Sequence, residues 1–156
     1  ASENIIKKGD ALVLDFGLIY RNYCSDMTRT IFVGEPSIEM KRIYEIVLDA
    51  QTNALDSLYC GMTAMEADKA ARDRITEQGY GKNFGHSLGH GVGIEIHEEP
   101  RVSQKSEDIL NNGMVFTVEP GIYVENLGGV RIEDMVTFVE GKLVNFTTSA
   151  KDMIIL

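Results

Sequence analysis

Apolar positions recur along this chain in two rhythms, one of period two and one of period 3.6. Residues 11–16 (ALVLDF) form a short apolar run, and residues 23–33 (YCSDMTRTIFV) alternate polar with apolar. Turn residues at 20–22 join them into a predicted β-hairpin. Gly34, Glu35 and Pro36 stop the second strand, and Ser37 is placed to cap a helix reaching about Tyr59. Within it Ile43, Ile46, Val47, Ala50, Ala54 and Leu58 follow the helical period, and Gly61 is the expected terminator. Thr63 and Glu66 frame a capping box for a second helix that Gly79 ends. Both helices are expected to cover a sheet through packing alone. Glycines then cluster between 79 and 93, and a loop is expected over 99–113. The stretches MVFTVEPGIYV and GVRIEDMVTFV form a second predicted hairpin, turning around 125–129.

Both hairpins carry acids at informative offsets. With a two-residue loop at Tyr20–Arg21, Asp15 and Asp26 face each other on one side, Cβ atoms ~5 Å apart. Glu119 and Glu133 face each other only across an odd-numbered loop. A three- or five-residue turn with Gly128 or Gly129 in the left-handed region suits that. Carboxylate pairs in both hairpins hint at an internal duplication. At ~4 Å and an effective dielectric of about 20, each like-charged pair costs about 4 kcal/mol. The neighbours Leu14, Phe16, Val118, Pro120 and Ile132 are apolar, which argues against solvated acids.

All three histidines, His86, His90 and His97, lie close together between glycines. Gly85, Gly89, Gly91 and Gly93 are expected to admit close backbone approach there. Asp15, Asp26, His90, Glu119 and Glu133 make a set of hard oxygen and nitrogen donors. Such a set can hold two divalent cations with open positions, which activate water and polarise a carbonyl. By alternation Thr28 shares a face with Asp26, and Thr117 with Glu119, so their hydroxyls can fix carboxylate rotamers. Arg131 is placed to pair with a ligand carboxylate. Cys24 falls on the Asp26 face and reads as a small buried residue.

Composition narrows the partners. The 156 residues are 44% hydrophobic and 25% charged, enough for one domain with a real core. A net charge of −9 argues against nucleic acid or an anionic membrane as main partner. Four of those negative charges are the candidate ligands themselves. Cys24 and Cys60 are isolated thiols, which favours a reducing, cytoplasmic setting. No stretch is long and apolar enough for a membrane helix.

Taken together, Asp15 and Asp26, HSLGHGVG, EPGIY and VRIED resemble the pita-bread metallopeptidases, the family of methionine aminopeptidase, aminopeptidase P and prolidase. The resemblance covers nearly the whole chain. It implies an α+β fold, a curved antiparallel sheet covered by helices. SDMTRT, VRIED and the short spacing from Glu119 to Glu133 resemble the proline-peptidase branch. GIEIHEEPRVS is similar to bacterial and archaeal Xaa-Pro dipeptidases.

The resemblance implies that Asp15 binds one metal alone, that Asp26 and Glu133 bridge two, and that His90 and Glu119 complete the other. A water lowered in pKa by two cations would be the nucleophile, with Glu119 shuttling its proton. His97 and His86 would serve the developing oxyanion or hold the scissile amide, and Arg101 would bind the substrate carboxylate. Manganese or cobalt is implied, with zinc or iron chemically admissible, and so is a homodimeric parent. Relatives carry an N-terminal domain and an opening catalytic region that have no counterpart here. Residues 1–156 are therefore expected to be the C-terminal part of a catalytic domain. The expected function is hydrolysis of Xaa-Pro dipeptides, with short proline-containing peptides as partners. Aminopeptidase P-like action on longer peptides, or a non-catalytic peptide- or protein-binding module on the same fold, are the alternatives.

Overall fold

The computed structural model describes Glu3 and residues 5–156. Its first hairpin pairs β1 (Ala11–Phe16) with β4 (Met27–Phe32). A separate ribbon at the tip pairs β2 (Ile19–Tyr20) with β3 (Tyr23–Cys24). The turn falls at Arg21–Asn22 rather than at Tyr20–Arg21. Both residues are left-handed, with φ of 49° and 69°, as a two-residue hairpin turn of type I′ requires. The register is therefore two residues away from the expected one. Asp15 faces Thr28, and Asp26 lies in the break between β3 and β4. Gly17 allows this break, because a Cβ there would sit 1.8 Å from the Ser25 carbonyl oxygen.

The helix α1 (Ile38–Ser57) starts where the sequence places it, with the Ser37 hydroxyl accepting from the Met40 N–H at 3.2 Å. It ends at Leu58 instead of Gly61, whose N–H goes to the Leu110 carbonyl. Ile43, Val47, Ala50 and Ala54 are fully buried along its predicted face. Each fully buried Ile or Val contributes about 1.5–3 kcal/mol. The second helix, α2 (Ala64–Glu77), has the complete capping box of Thr63 and Glu66. Its buried Ala64, Ala67 and Ala71 are small enough to bring it close against α1.

The larger sheet is built from β5 (Gly89–Gly91), β6 (Glu98–Val102), β7 (Val115–Val118), β10 (Asp134–Val139) and β11 (Lys142–Asn145). Its order is β11-β10-β7-β5-β6, antiparallel throughout. A strand, β6, thus occupies the start of the segment expected to be a loop. The second hairpin repeats the plan of the first. Beyond the β7–β10 pair, β8 (Gly121–Val124) and β9 (Gly128–Arg131) form their own ribbon. One register runs through both segments, with Val118 opposite Asp134 and Gly121 opposite Arg131. Glu119 and Glu133 therefore occupy facing positions, as the odd-loop argument requires. The left-handed loop residue is Asn126, φ 62°, and the expected glycine follows at Gly128, which opens β9 with a positive φ of 140°.

A short strand, β12 (Ile154–Ile155), lies parallel to β4 and completes a three-stranded sheet with β1. The two sheets touch where Thr28 and Glu133 bridge, Glu133 N–H to Thr28 carbonyl at 3.1 Å. A buried ion pair seals that joint: Arg29 reaches Asp134 at 2.8 Å. The same guanidinium donates to the carbonyls of Thr28 at 2.8 Å and Glu133 at 2.7 Å. No helix among the described residues is long and apolar enough to cross a membrane.

Candidate metal centre

The strand ladder opens where the candidate ligands sit. Glu119 turns its N–H to the Leu88 carbonyl at 2.8 Å, and Glu133 turns its own to Thr28. Into this opening Asp26, His90 and Glu133 each bring one ligand atom, all within 4.8 Å of one another. His90 Nε2 lies 3.3 Å from Glu119 Oε1 and 3.6 Å from Asp26 Oδ2. The other ring nitrogen, Nδ1, is 3.0 Å from the Gly91 carbonyl. A carbonyl only accepts, so Nδ1 carries the proton and Nε2 offers its lone pair to the opening.

Supporting hydroxyls hold the acids. Thr117 Oγ1 donates to Glu119 Oε1 at 2.9 Å and accepts from the His90 N–H at 3.1 Å. Thr28 bonds Glu133 and not Asp26, the partner that alternation suggested. Gly89 is required here, since a Cβ would stand 1.9 Å from the Thr117 carbonyl oxygen. Gly85 has open space around it, so the close approach expected there is not made.

The electrostatics of the site favour a bound positive charge. Glu133 is 1% exposed, and its Oε1 has no hydrogen-bond partner among the described residues. Burial pushes its carboxyl up to about 8, with neighbouring Glu119 adding to the rise. Burial likewise lifts Glu119 to about 7, against the pull of the Thr117 hydroxyl and Arg131. Asp26 is raised by burial and by the charge of Asp15. A dry acceptor oxygen beside further carboxylates and an imidazole lone pair fits a divalent cation.

Asp15 stands apart from the converging three. It is half-exposed, contrary to the expectation for an acid inside an apolar run, and is held by the Arg131 guanidinium. Arg131 thus pairs with a candidate ligand carboxylate, as expected. It also donates to the Tyr123 hydroxyl at 2.8 Å.

His86 is half-buried, with Nε2 3.2 Å from the Tyr123 hydroxyl and Nδ1 2.8 Å from the Ser87 carbonyl. Burial lowers its pKa. The exposed His97 ring lies 4.1 Å from that of His90. Arg101 sits on β6 directly opposite His90, its Nε donating to Ser87 Oγ at 3.1 Å. His86, His90, His97, Arg101, Glu119 and Arg131 line one cavity of about 620 Å³. Cys24 turns its thiol to the Ile94 carbonyl, and both cysteines are free. Sequence reasoning overlooked Tyr123, which ties Arg131 to His86. Its two-residue alternation with Glu119 and Gly121 was the available signal.

Comparison with known proteins identifies the family and the fold. Metallopeptidase family M24 matches residues 1–140. A Xaa-Pro dipeptidase of Pyrococcus horikoshii is 51% identical over 154 residues, covering 99% of this chain and 44% of the relative. The solved Xaa-Pro dipeptidase from Bacillus anthracis superimposes with a TM-score of 0.96 at 53% identity, over 99% of this chain and 44% of that one. An X-Pro aminopeptidase from Thermotoga maritima gives a TM-score of 0.96 at 46% identity, over 100% and 44%. The chain thus spans less than half the length of these relatives.

Proposed function

The chain belongs to metallopeptidase family M24, and from that membership we propose that it carries the metal centre of an exopeptidase hydrolysing Xaa-Pro dipeptides. The observation carrying this reading is the buried, unpartnered Oε1 of Glu133 amid Asp26, His90 and Glu119. In the proposed assignment Asp15, Asp26, His90, Glu119 and Glu133 would together hold two divalent ions. Hard oxygen donors and one imidazole suit manganese or cobalt. When bound, two such ions supply Lewis acidity and lower the pKa of a water.

The protein's own groups do the rest. Glu119, steered by the Thr117 hydroxyl, takes a proton from the attacking water and returns it to the leaving amine. His97 and His86 face the same cavity and hold the scissile amide oxygen. Arg101, across the strand pair from His90, receives the substrate carboxylate with its fork of donors. A cavity of about 620 Å³ suits a dipeptide.

A second reading is removal of the first residue from longer Xaa-Pro peptides. It draws on a neighbouring cavity of about 790 Å³ that shares His86, Ser87, Glu99 and Arg101 with the first. The test of both is metal content and proline release after manganese loading, with Glu133→Ala alongside. Two ions per chain and dipeptide hydrolysis, both lost in the variant, are expected. Undiminished turnover in Glu133→Ala would sink the metal mechanism. Faster cleavage of tripeptides than of dipeptides would select the second reading.

A further inference from the structure

On the helix α2 lies a pair of side chains that the mechanism above leaves without a part. Asp68 is completely buried, and Arg72, one turn later, keeps 13% of its side chain exposed. Their contact is a two-pronged fork, Arg72 Nε to Asp68 Oδ2 at 2.6 Å and Nη2 to Oδ1 at 2.9 Å. Burying such a pair carries a desolvation cost that an apolar contact would avoid. The neighbouring Lys69–Asp73 pair has the same spacing on the same helix, but it is exposed and its side chains make no other hydrogen bond among the described residues.

What separates the two pairs is where the remaining donors go. Arg72 Nη1 donates to the Phe84 carbonyl at 2.8 Å, and Nη2 to the His86 carbonyl at 2.7 Å. Asp68 Oδ1 also accepts the Leu88 N–H at 3.0 Å. Residues 84–88 have no strand or helix ladder, so these bonds decide where their backbone lies. The ring is indexed too. The guanidinium lies 4.0 Å over the Phe84 ring, and Phe84 meets the His86 imidazole edge-on at 5.0 Å.

We infer that Arg72, anchored by Asp68, is a positioning residue that sets the His86 imidazole against the reaction cavity. The inference rests on the peptidase reading for its kinetic readout alone. Lysine at position 72 would keep the charge but cannot make the fork and both carbonyl contacts together.

The test is a double-mutant cycle in the full-length protein, with kcat, KM and metal content measured after manganese loading and the His86 ring resonances read in the metal-free protein, where no paramagnetic ion broadens them. Arg72→Lys should lower kcat roughly tenfold or more with metal content unchanged, the scale that a small misplacement produces. In the His86→Ala background the same substitution should add no further loss. Lys69→Ala should change nothing. Equal losses in both backgrounds, a parallel fall in bound metal, or an unmoved His86 ring signal would overturn the inference. Should Arg72→Lys fail to fold, Asp68→Asn is isosteric, still accepts the Leu88 N–H, and carries the same cycle. A wild-type protein that hydrolyses no peptide defeats the peptidase reading, and the His86 ring signals then decide positioning by themselves.

Discussion

Replacing Glu133 by Gln should stabilise the metal-free protein while abolishing its response to metal. The carboxyl is 1% exposed, so solvent screening does not discount its cost. Its folded-state value of about 8 stands above the ordinary 4.5. A carboxyl raised on folding adds stability only below about pH 4.5, and that stability is lost as pH climbs through the folded value. At pH 7, about 2.5 pH units above the unfolded value, the penalty is about 3 kcal/mol. Gln is neutral, similar in shape, and still accepts from the Thr28 hydroxyl. In chelator at pH 7 the variant should therefore melt roughly 6–12 °C higher than wild type. Its melting temperature should also fall less between pH 5 and pH 8, Glu119 supplying the slope that remains. Manganese should then raise the wild-type melting temperature by mass action and leave the variant unmoved. Thermal melts followed by circular dichroism decide the matter. A variant that melts no higher than wild type in chelator, with the same pH slope, would refute the electrostatic account.

Three further outcomes follow from contacts described above. Thr117→Val removes the hydroxyl between His90 and Glu119 and should weaken metal binding roughly 10- to 100-fold, read by chelator competition. Gly89→Ala sets a methyl 1.9 Å from the Thr117 carbonyl and must part β5 from β7. Loss of metal binding or of soluble protein is expected, and a variant that loads metal normally would contradict that packing. Thr63→Ala breaks the capping box of α2 and should cost about 0.5–2 kcal/mol in denaturant unfolding.

Local signals made the helices and the second hairpin readable. Period and caps located α1 and α2, and loop parity placed Glu119 opposite Glu133. The first hairpin came out two residues away because its turn uses left-handed Arg21 and Asn22, and an arginine gives no warning of a positive φ. Thr28 was placed on a suitable face, but its partner Glu133 arrives from the other sheet, a contact that strand alternation cannot see. Asp15 reads from its apolar neighbours as buried, yet β1 leaves it half-exposed at the rim. Asp68–Arg72 and Lys69–Asp73 show the limit most clearly. Both are four-residue acid–base pairs on one helix, and tertiary packing alone buries the first and leaves the second in solvent.

The interrupted hairpins bear on how this protein can be altered. In each, the ribbon beyond the break (β2–β3 or β8–β9) is a separate two-stranded unit, while β1–β4 and β7–β10 hold the register beneath it. Lengthening the loops at Arg21–Asn22 or at residues 125–127 leaves the lower pairs in place. The ribbon tips are therefore the places where a peptide tag, a reporter or a circularly permuted terminus can be grafted, or where natural insertions can accumulate. The break acts as a joint that isolates the cluster of acids from changes in chain length above it.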